Sequence, residues 1–203
     1  RKVMELLVRY KDHFENFQNA RTLEISEQDR KLLGDLYLLT EKPVVYVCNV
    51  DDDSAVNGNR YVDSVKEALA GLNAEILVIA GAMEADIADL ETEEERMEFL
   101  EDAGLTEPGV NKMIRAAYDL LNLQAFFTEG PKEVRAWTIK KGMTAKQAAG
   151  VIHSDLERGF IRAEVMKYND FMTLGSEQKV KEAGKMKLEG KDYIVQDGDI
   201  MFI

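Results

Sequence analysis

The chain has 203 residues, 45% of them apolar, and a formal charge of −12. That is enough for one large domain or two small ones with a real core. It excludes a bilayer-spanning segment, because no apolar run approaches the ~18 residues required, and it argues against free DNA binding. The charge is uneven: residues 1–122 carry 13 Lys and Arg against 26 Asp and Glu, whereas residues 123–203 carry 13 against 12. We therefore expect a domain boundary near Leu123, with only the C-terminal part able to approach RNA.

Residues 1–18 read as a helix. Val3, Leu7, Tyr10, Phe14 and Phe17 recur at alternating spacings of four and three, the seam of a short coiled coil. Such a seam calls for a partner helix, so it reads as the returning arm of a helical hairpin. An amphipathic helix on a globular core is the other reading. Ser26-x-x-Asp29 caps a second helix, expected to run to about Leu39 before Pro43 ends it. Residues 44–48 form a buried strand, residues 60–71 a helix, and Glu75-Ile-Leu-Val-Ile79 a second buried strand. Thr92-Glu-Glu-Glu95 is a capping box opening a helix that ends at Gly104. A further helix starts after Thr106-Glu-Pro-Gly109 and presents Val110, Ile114, Ala117 and Leu121 on one face. Strand, helix, strand, helix implies a parallel α/β sheet, and two strands are few for one. The chain opens on Arg1 with a helix already running and ends within a strand, so further sequence is expected on either side.

Beyond Leu123 the pattern changes. Glu133–Ile139 is strand-like, and Thr144-Ala-Lys-Gln147 is a second capping box. In Phe160–Met166 the side chains of Ile161, Ala163 and Val165 alternate with Arg162 and Glu164, as in a half-exposed strand. Tyr193–Val195, the Asp197-Gly198 turn and Ile200–Ile203 suggest a closing hairpin. These elements fit a small ubiquitin-like (β-grasp) α+β domain.

The most specific local chemistry is Asn49-x-x-Asp52 at the end of the first buried strand, where open α/β sheets bind ligands. P-loop NTPases of the GTPase class present their base-reading loop in this way. An asparagine amide braces the loop and touches the purine, and a carboxylate at the fourth position can accept two N–H groups from guanine. An Asx-capped turn explains the same residues without a ligand. Ala80-Gly81-Ala82, just after the second strand, could bring backbone N–H groups to a base or simply turn strand into helix. No G-x-x-x-x-G-K-[ST] phosphate loop occurs. Cys48 reads as a buried structural thiol, His13 as a surface residue and His153 as a capping one, and no Cys or His cluster suggests zinc. The acidic runs Asp51–Asp53 and Glu93–Glu95 read as solvated. Lys140, Lys141, Lys146, Arg158 and Arg162 form either an RNA phosphate patch or a solvated surface.

Longer stretches carry a resemblance. Gly130–Gly142, Thr144–His153, Asp155–Val165 and Gly184-Lys-Met-Lys-Leu-Glu-Gly-Lys-Asp-Tyr-Ile-Val-Gln-Asp-Gly-Asp199 resemble the TGS domain of the YchF / Obg-like ATPases. Arg21–Glu24, Lys42–Asn49 and Glu84–Leu90 fit the same family upstream. The resemblance implies a helical-arm remnant and following helix (1–40), the C-terminal part of a P-loop nucleotide domain (41–122) and a TGS domain (123–203). It implies an ATP- or GTP-binding, ribosome-associated cytoplasmic protein whose Mg²⁺ ligands, P-loop and catalytic residues lie upstream of this chain. The base-contacting set would be Asn49, Val50, Asp52, Ala80, Gly81 and Ala82. The family's motif is usually N-x-x-E, so Asp52 departs toward the guanine-reading form, and Ala80-Gly81 stands where the family has Ser-Ala. A non-enzymatic module docking on RNA or the ribosome is the competing expectation.

Overall fold

A computed structural model describes residues 1–72, 74–130 and 133–203. Pro131 and Lys132, within one of the stretches that carry the resemblance, lie outside the described residues. The chain forms two compact units, Arg1–Glu91 and Thr92–Ile203. Among the described residues no helix is long and apolar enough to cross a membrane.

The first unit begins with α1 (Lys2–Glu15). Of its expected seam only Tyr10 is buried, together with Leu6, while Val3, Leu7, Phe14 and Phe17 stay exposed. Lys2 pairs with Asp29 at 2.5 Å, and Arg9 donates to the Glu24 carbonyl at 2.7 Å, tying α1 to the next segment. Helix α2 spans Glu27–Leu33, capped as expected by Ser26 accepting from the Asp29 N–H. It ends at Gly34 rather than Leu39, because Gly34 turns to φ 70, a conformation that only glycine adopts cheaply. The following residues are irregular, with a 3₁₀ turn over Leu39–Glu41.

Strands β1 (Val45–Asn49) and β2 (Glu75–Ile79) pair in parallel, in register from Val45 opposite Glu75 to Asn49 opposite Ile79. Helix α3 (Arg60–Leu69) is the crossover that a parallel pair requires. The strands are half-buried rather than buried, and Val47 is 46% exposed. Two strands with one crossover cannot cover both faces of a sheet. Helix α4 (Gly81–Asp89) follows β2 directly and buries Met83 and Ile87.

The second unit starts with α5 (Glu93–Asp102), whose Thr92–Glu95 capping box forms in full. Helix α6 (Gly109–Leu120) buries Gly109 and Ala116, whereas Val110, Ile114 and Leu121 of the expected apolar face are exposed. Then come β3 (Leu123–Glu129), β4 (Val134–Lys140), α7 (Ala145–Ile152), α8 (Ser154–Gly159) and β5 (Arg162–Lys167). The last elements are α9 (Tyr168–Leu174), α10 (Glu177–Glu182), β6 (Lys187–Gly190) and β7 (Asp199–Phe202). The strands form one mixed sheet ordered β4-β3-β7-β5-β6, with β3 and β7 parallel and the other neighbours antiparallel.

The expected hairpin at the C-terminus is not present. Tyr193–Val195 contributes a single bridge, Ile194 to Thr144, and β7 instead enters the middle of the sheet between β3 and β5. Strand β5 is also covered on both faces rather than one. Ala163 and Val165 pack with Phe126, Ile139, Ala148 and Met201 on one side, and Met166 packs with Val180 and Ile200 on the other. Ile161, expected in the alternation, precedes the strand and is exposed.

Asp199 opens β7 and is 0% exposed. Its carboxylate accepts from Lys167 Nζ at 2.6 Å, Tyr193 Oη at 2.8 Å and the Gln196 N–H at 2.8 Å. Burial works against the Lys167 charge, but the bonds to Asp199 and Tyr193 outweigh it and hold that pKa above the ordinary lysine value. The Tyr193 phenol is raised as well, by burial first and then by its bond to Asp199.

Two outcomes follow. Asp199→Ala strands the Gln196 N–H and the Tyr193 hydroxyl and unpairs Lys167. It should cost about 3 kcal/mol of unfolding free energy, toward the lower end for a broken buried pair because Lys167 is half exposed. Both raised groups keep their protons longer in the folded chain than in the unfolded one, so stability falls as pH rises through their folded values. The urea midpoint should hold from about pH 7 to 9 and fall above about pH 10, near the unfolded lysine and tyrosine values. Tyr193→Phe should flatten that fall.

Candidate functional site

The end of β1 meets the start of α4. The pair gains one further bond past the strand ends, Val50 N–H to the Ile79 carbonyl at 3.0 Å. Asn49 Oδ1 then accepts from the Gly81 N–H at 2.9 Å. A helix leaves its first N–H groups without intrahelical partners, and Ala80, the residue before α4, has no side chain to cap them. Asn49 supplies that cap from the neighbouring strand. A Cβ on Gly81 would stand 3.0 Å from Asn49 Oδ1, so glycine is what lets the two loops approach this closely.

The loop after β1 is held at both ends. Asp51 Oδ1 accepts from the Ser54 N–H at 3.0 Å and caps the 3₁₀ turn Asp52–Ser54. Asn59 Oδ1 accepts from Tyr61 and Val62 N–H groups at the start of α3. Gly58 (φ 73) donates to the Ser54 carbonyl at 2.8 Å between them. The Asx turn therefore belongs to Asp51. Asp52 is exposed and its carboxylate takes part in no hydrogen bond or ion pair among the described residues. Of the remaining base-contact candidates, Val50 is half-buried, Gly81 and Ala82 are exposed at the helix start, and Ala80 is buried at 3%. Ala80 is thus a packing residue that seats the turn. Asn59 was not singled out in the sequence, although an Asn directly before a helical run is a capping signal.

The basic candidates sit on separate elements. Lys140 ends β4, Lys141 follows it, Lys146 lies in the first turn of α7, Arg158 on α8 and Arg162 at the start of β5. Lys141 pairs with Asp119 and Arg158 with Asp155, while Lys140, Lys146 and Arg162 have no ion pair among the described residues. The sequence reading missed a second basic run, Lys179, Lys181, Lys185, Lys187 and Lys191, because its glutamates mask it.

His153 caps α8, its Nδ1 accepting from the Asp155 N–H at 3.1 Å. His13 is half-buried rather than a plain surface residue, with Nε2 2.9 Å from both the Asn19 carbonyl and Thr22 Oγ1. Cys48 is half-buried. No group of three or more His, Cys, Asp or Glu able to hold a metal ion is found among the described residues.

A family model, YchF-GTPase_C (protein of unknown function, DUF933), matches residues 123–203. The chain is 49% identical over 199 residues to the ribosome-binding ATPase YchF of Bacillus subtilis (strain 168), covering 97% of this chain and 54% of that protein. It is 52% identical over 187 residues to the ribosome-binding ATPase YchF of Escherichia coli O157:H7, covering 92% and 51%. It is 46% identical over 180 residues to Obg-like ATPase 1 of Rattus norvegicus, covering 87% and 45%. The solved structure of the Schizosaccharomyces pombe YchF GTPase superposes with a TM-score of 0.83 at 34% identity, over 98% of this chain and 53% of that one. The chain spans about half the length of the curated relatives it matches.

The brace has a direct test. Asn49→Ala should cost about 1 kcal/mol and speed hydrogen exchange at the Gly81 amide, read by NMR, while the caps at Ser54 and Val62 hold. An unchanged Gly81 exchange rate would show that the bond does not organise the site.

Proposed function

The chain belongs to the YchF / Obg-like ATPase family, and on that premise we propose that it is the base-reading and C-terminal part of a protein that binds and hydrolyses ATP, with GTP as the other candidate nucleotide. The observation that carries the reading is the Asn49–Gly81 bond. It fixes the loop after β1 against the start of α4, at the carboxyl ends of two parallel strands, where α/β sheets take their ligands. Asn49 braces, Asp52 stands free to accept N–H groups from a base, and Val50, Gly81 and Ala82 offer backbone around it, with Ala80 buried behind.

Hydrolysis in this reading is phosphoryl transfer to water, with Mg²⁺ bound along with the nucleotide's phosphates and the phosphate loop supplied by other parts of the protein. No Mg²⁺ ligand is assigned to this chain. Residues 1–40 are read as the remnant of a helical arm, 41–122 as nucleotide-domain residues and 123–203 as a TGS domain of β-grasp type. Renumbering the five strands by chain order gives 2-1-5-3-4 with the outer chain segments parallel at the centre, which supports the last assignment. The protein is proposed to associate with ribosomes, since its relatives are named ribosome-binding ATPases, and to be cytoplasmic.

A second reading rests on Lys140, Lys146 and Arg162, which have no ion pair among the described residues: the C-terminal unit docks on ribosomal RNA or protein without needing nucleotide. Two measurements separate the readings. The purified chain should release no phosphate from Mg²⁺-ATP or Mg²⁺-GTP above a protein-free control, because phosphate contacts dominate such sites; Mg²⁺-dependent turnover would overturn the division of labour. If the docking reading holds, the chain co-sediments with ribosomes in the absence of nucleotide, and reversing charge at Lys140, Lys141 and Lys146 lowers the bound fraction about tenfold.

A further inference from the structure

A cleft of about 490 Å³ opens beside the Asp199 network, lined by Val165, Lys167, Lys185, Lys187, Tyr193 and Gln196, with Asp170, Gly184 and Glu189 completing it. Its floor follows from strand register. Val165 stands opposite Lys187 and Ala163 opposite Glu189 across β5 and β6. Alternation then puts Val165 and Lys167 of β5 on the same face as Lys187 and Glu189 of β6. Tyr193 closes the cleft from the loop before β7, its hydroxyl fixed on Asp199 at 2.8 Å.

The polar supply of this cleft is lopsided. An ammonium has three donors. Lys167 spends two, on Asp199 Oδ1 and Tyr193 Oη. Lys185 spends one, on Asp170 Oδ1 at 2.5 Å. Lys187 has no hydrogen bond or ion pair among the described residues. Six of the nine lysine N–H donors are therefore uncommitted within a concavity whose one carboxylate without a partner among the described residues is Glu189, and the buried Asp199 and the Asp170 pair hold two of the three lysines in place. A phosphate group, with three acceptor oxygens and up to two negative charges, matches that surplus. The volume lies within the range of small-ligand sites, and the Tyr193 ring offers an apolar wall.

We propose that this cleft binds a phosphate-bearing small molecule of mononucleotide size, held by Lys187 and Lys185 and backed by Lys167 and Tyr193. The site is separate from the base-reading loop and stands whether or not that loop binds nucleotide.

The test is a residue-resolved NMR titration of the ¹⁵N-labelled full chain at low salt, where lysine contacts are least screened. Pyrophosphate is the first probe, since it carries no base for Asn49 to read. Saturable shifts confined to the amides around Lys167, Lys187, Tyr193 and Gln196 are expected. Lys187→Ala should weaken binding about tenfold with an unchanged melting temperature, and Asn49→Ala should leave the titration as it was. Adenosine 5′-monophosphate should move the same amides and adenosine should not. Four results would overturn the proposal: no saturable response, shifts spread over lysines throughout the chain, equal affinity in Lys187→Ala, or tighter binding of a hexauridine lacking terminal phosphate than of pyrophosphate at these residues.

Discussion

A carboxylate without access to water must be neutralised where it stands, and that constraint organises the C-terminal unit. Asp199 begins the central strand, and its two oxygens are taken by a lysine from β5, a tyrosine and a backbone N–H from the preceding turn. Those partners hold the start of β7, which lies between β3 and β5 instead of folding back as a hairpin. The two apolar layers on either face, around Phe126 and around Met166, follow from that insertion.

The N-terminal unit depends on a smaller version of the same device. Asn49 satisfies a helix N–H that Ala80 cannot cap, and Gly81 leaves room for it. One side chain thus couples two loops that are 32 residues apart in sequence. The loop after β1 is capped at Asp51 and Asn59, so Asp52 is presented on a held backbone with its carboxylate uncommitted. A group free in that position is what the proposed base-reading role needs.

Much of the local structure was legible in the sequence, because caps are short-range chemistry. Ser26, Thr92 and Thr144 do what their spacing to Asp29, Glu95 and Gln147 announces. The elements that escaped are those whose logic is long-range. Strand β3 hides because Gln124 occupies a buried position, made tolerable by its bond to the Val195 carbonyl at 2.7 Å. Strand β6 is four residues long and mostly charged or small. Helix α2 stops short of Leu39 because Gly34 ends it well before Pro43. The α6 stripe is real in pattern yet exposed, since periodicity states which face is apolar and not what covers it. In the candidate site, Asn49 and Gly81 were legible as a pair of loops, but their hydrogen bond required the β1–β2 register.

The measurement that bears most directly on this account is nucleotide binding by a protein of the relatives' full length that carries this sequence, as wild type, Asn49→Ala and Asp52→Ala, titrated with Mg²⁺-ATP, Mg²⁺-GTP and base-free Mg²⁺-triphosphate. If the braced loop reads the base, each substitution weakens one purine nucleotide by about tenfold or more, the scale of a lost hydrogen bond to a charged group, and leaves triphosphate affinity unchanged. Wild-type affinity for both nucleotides in both variants would contradict it.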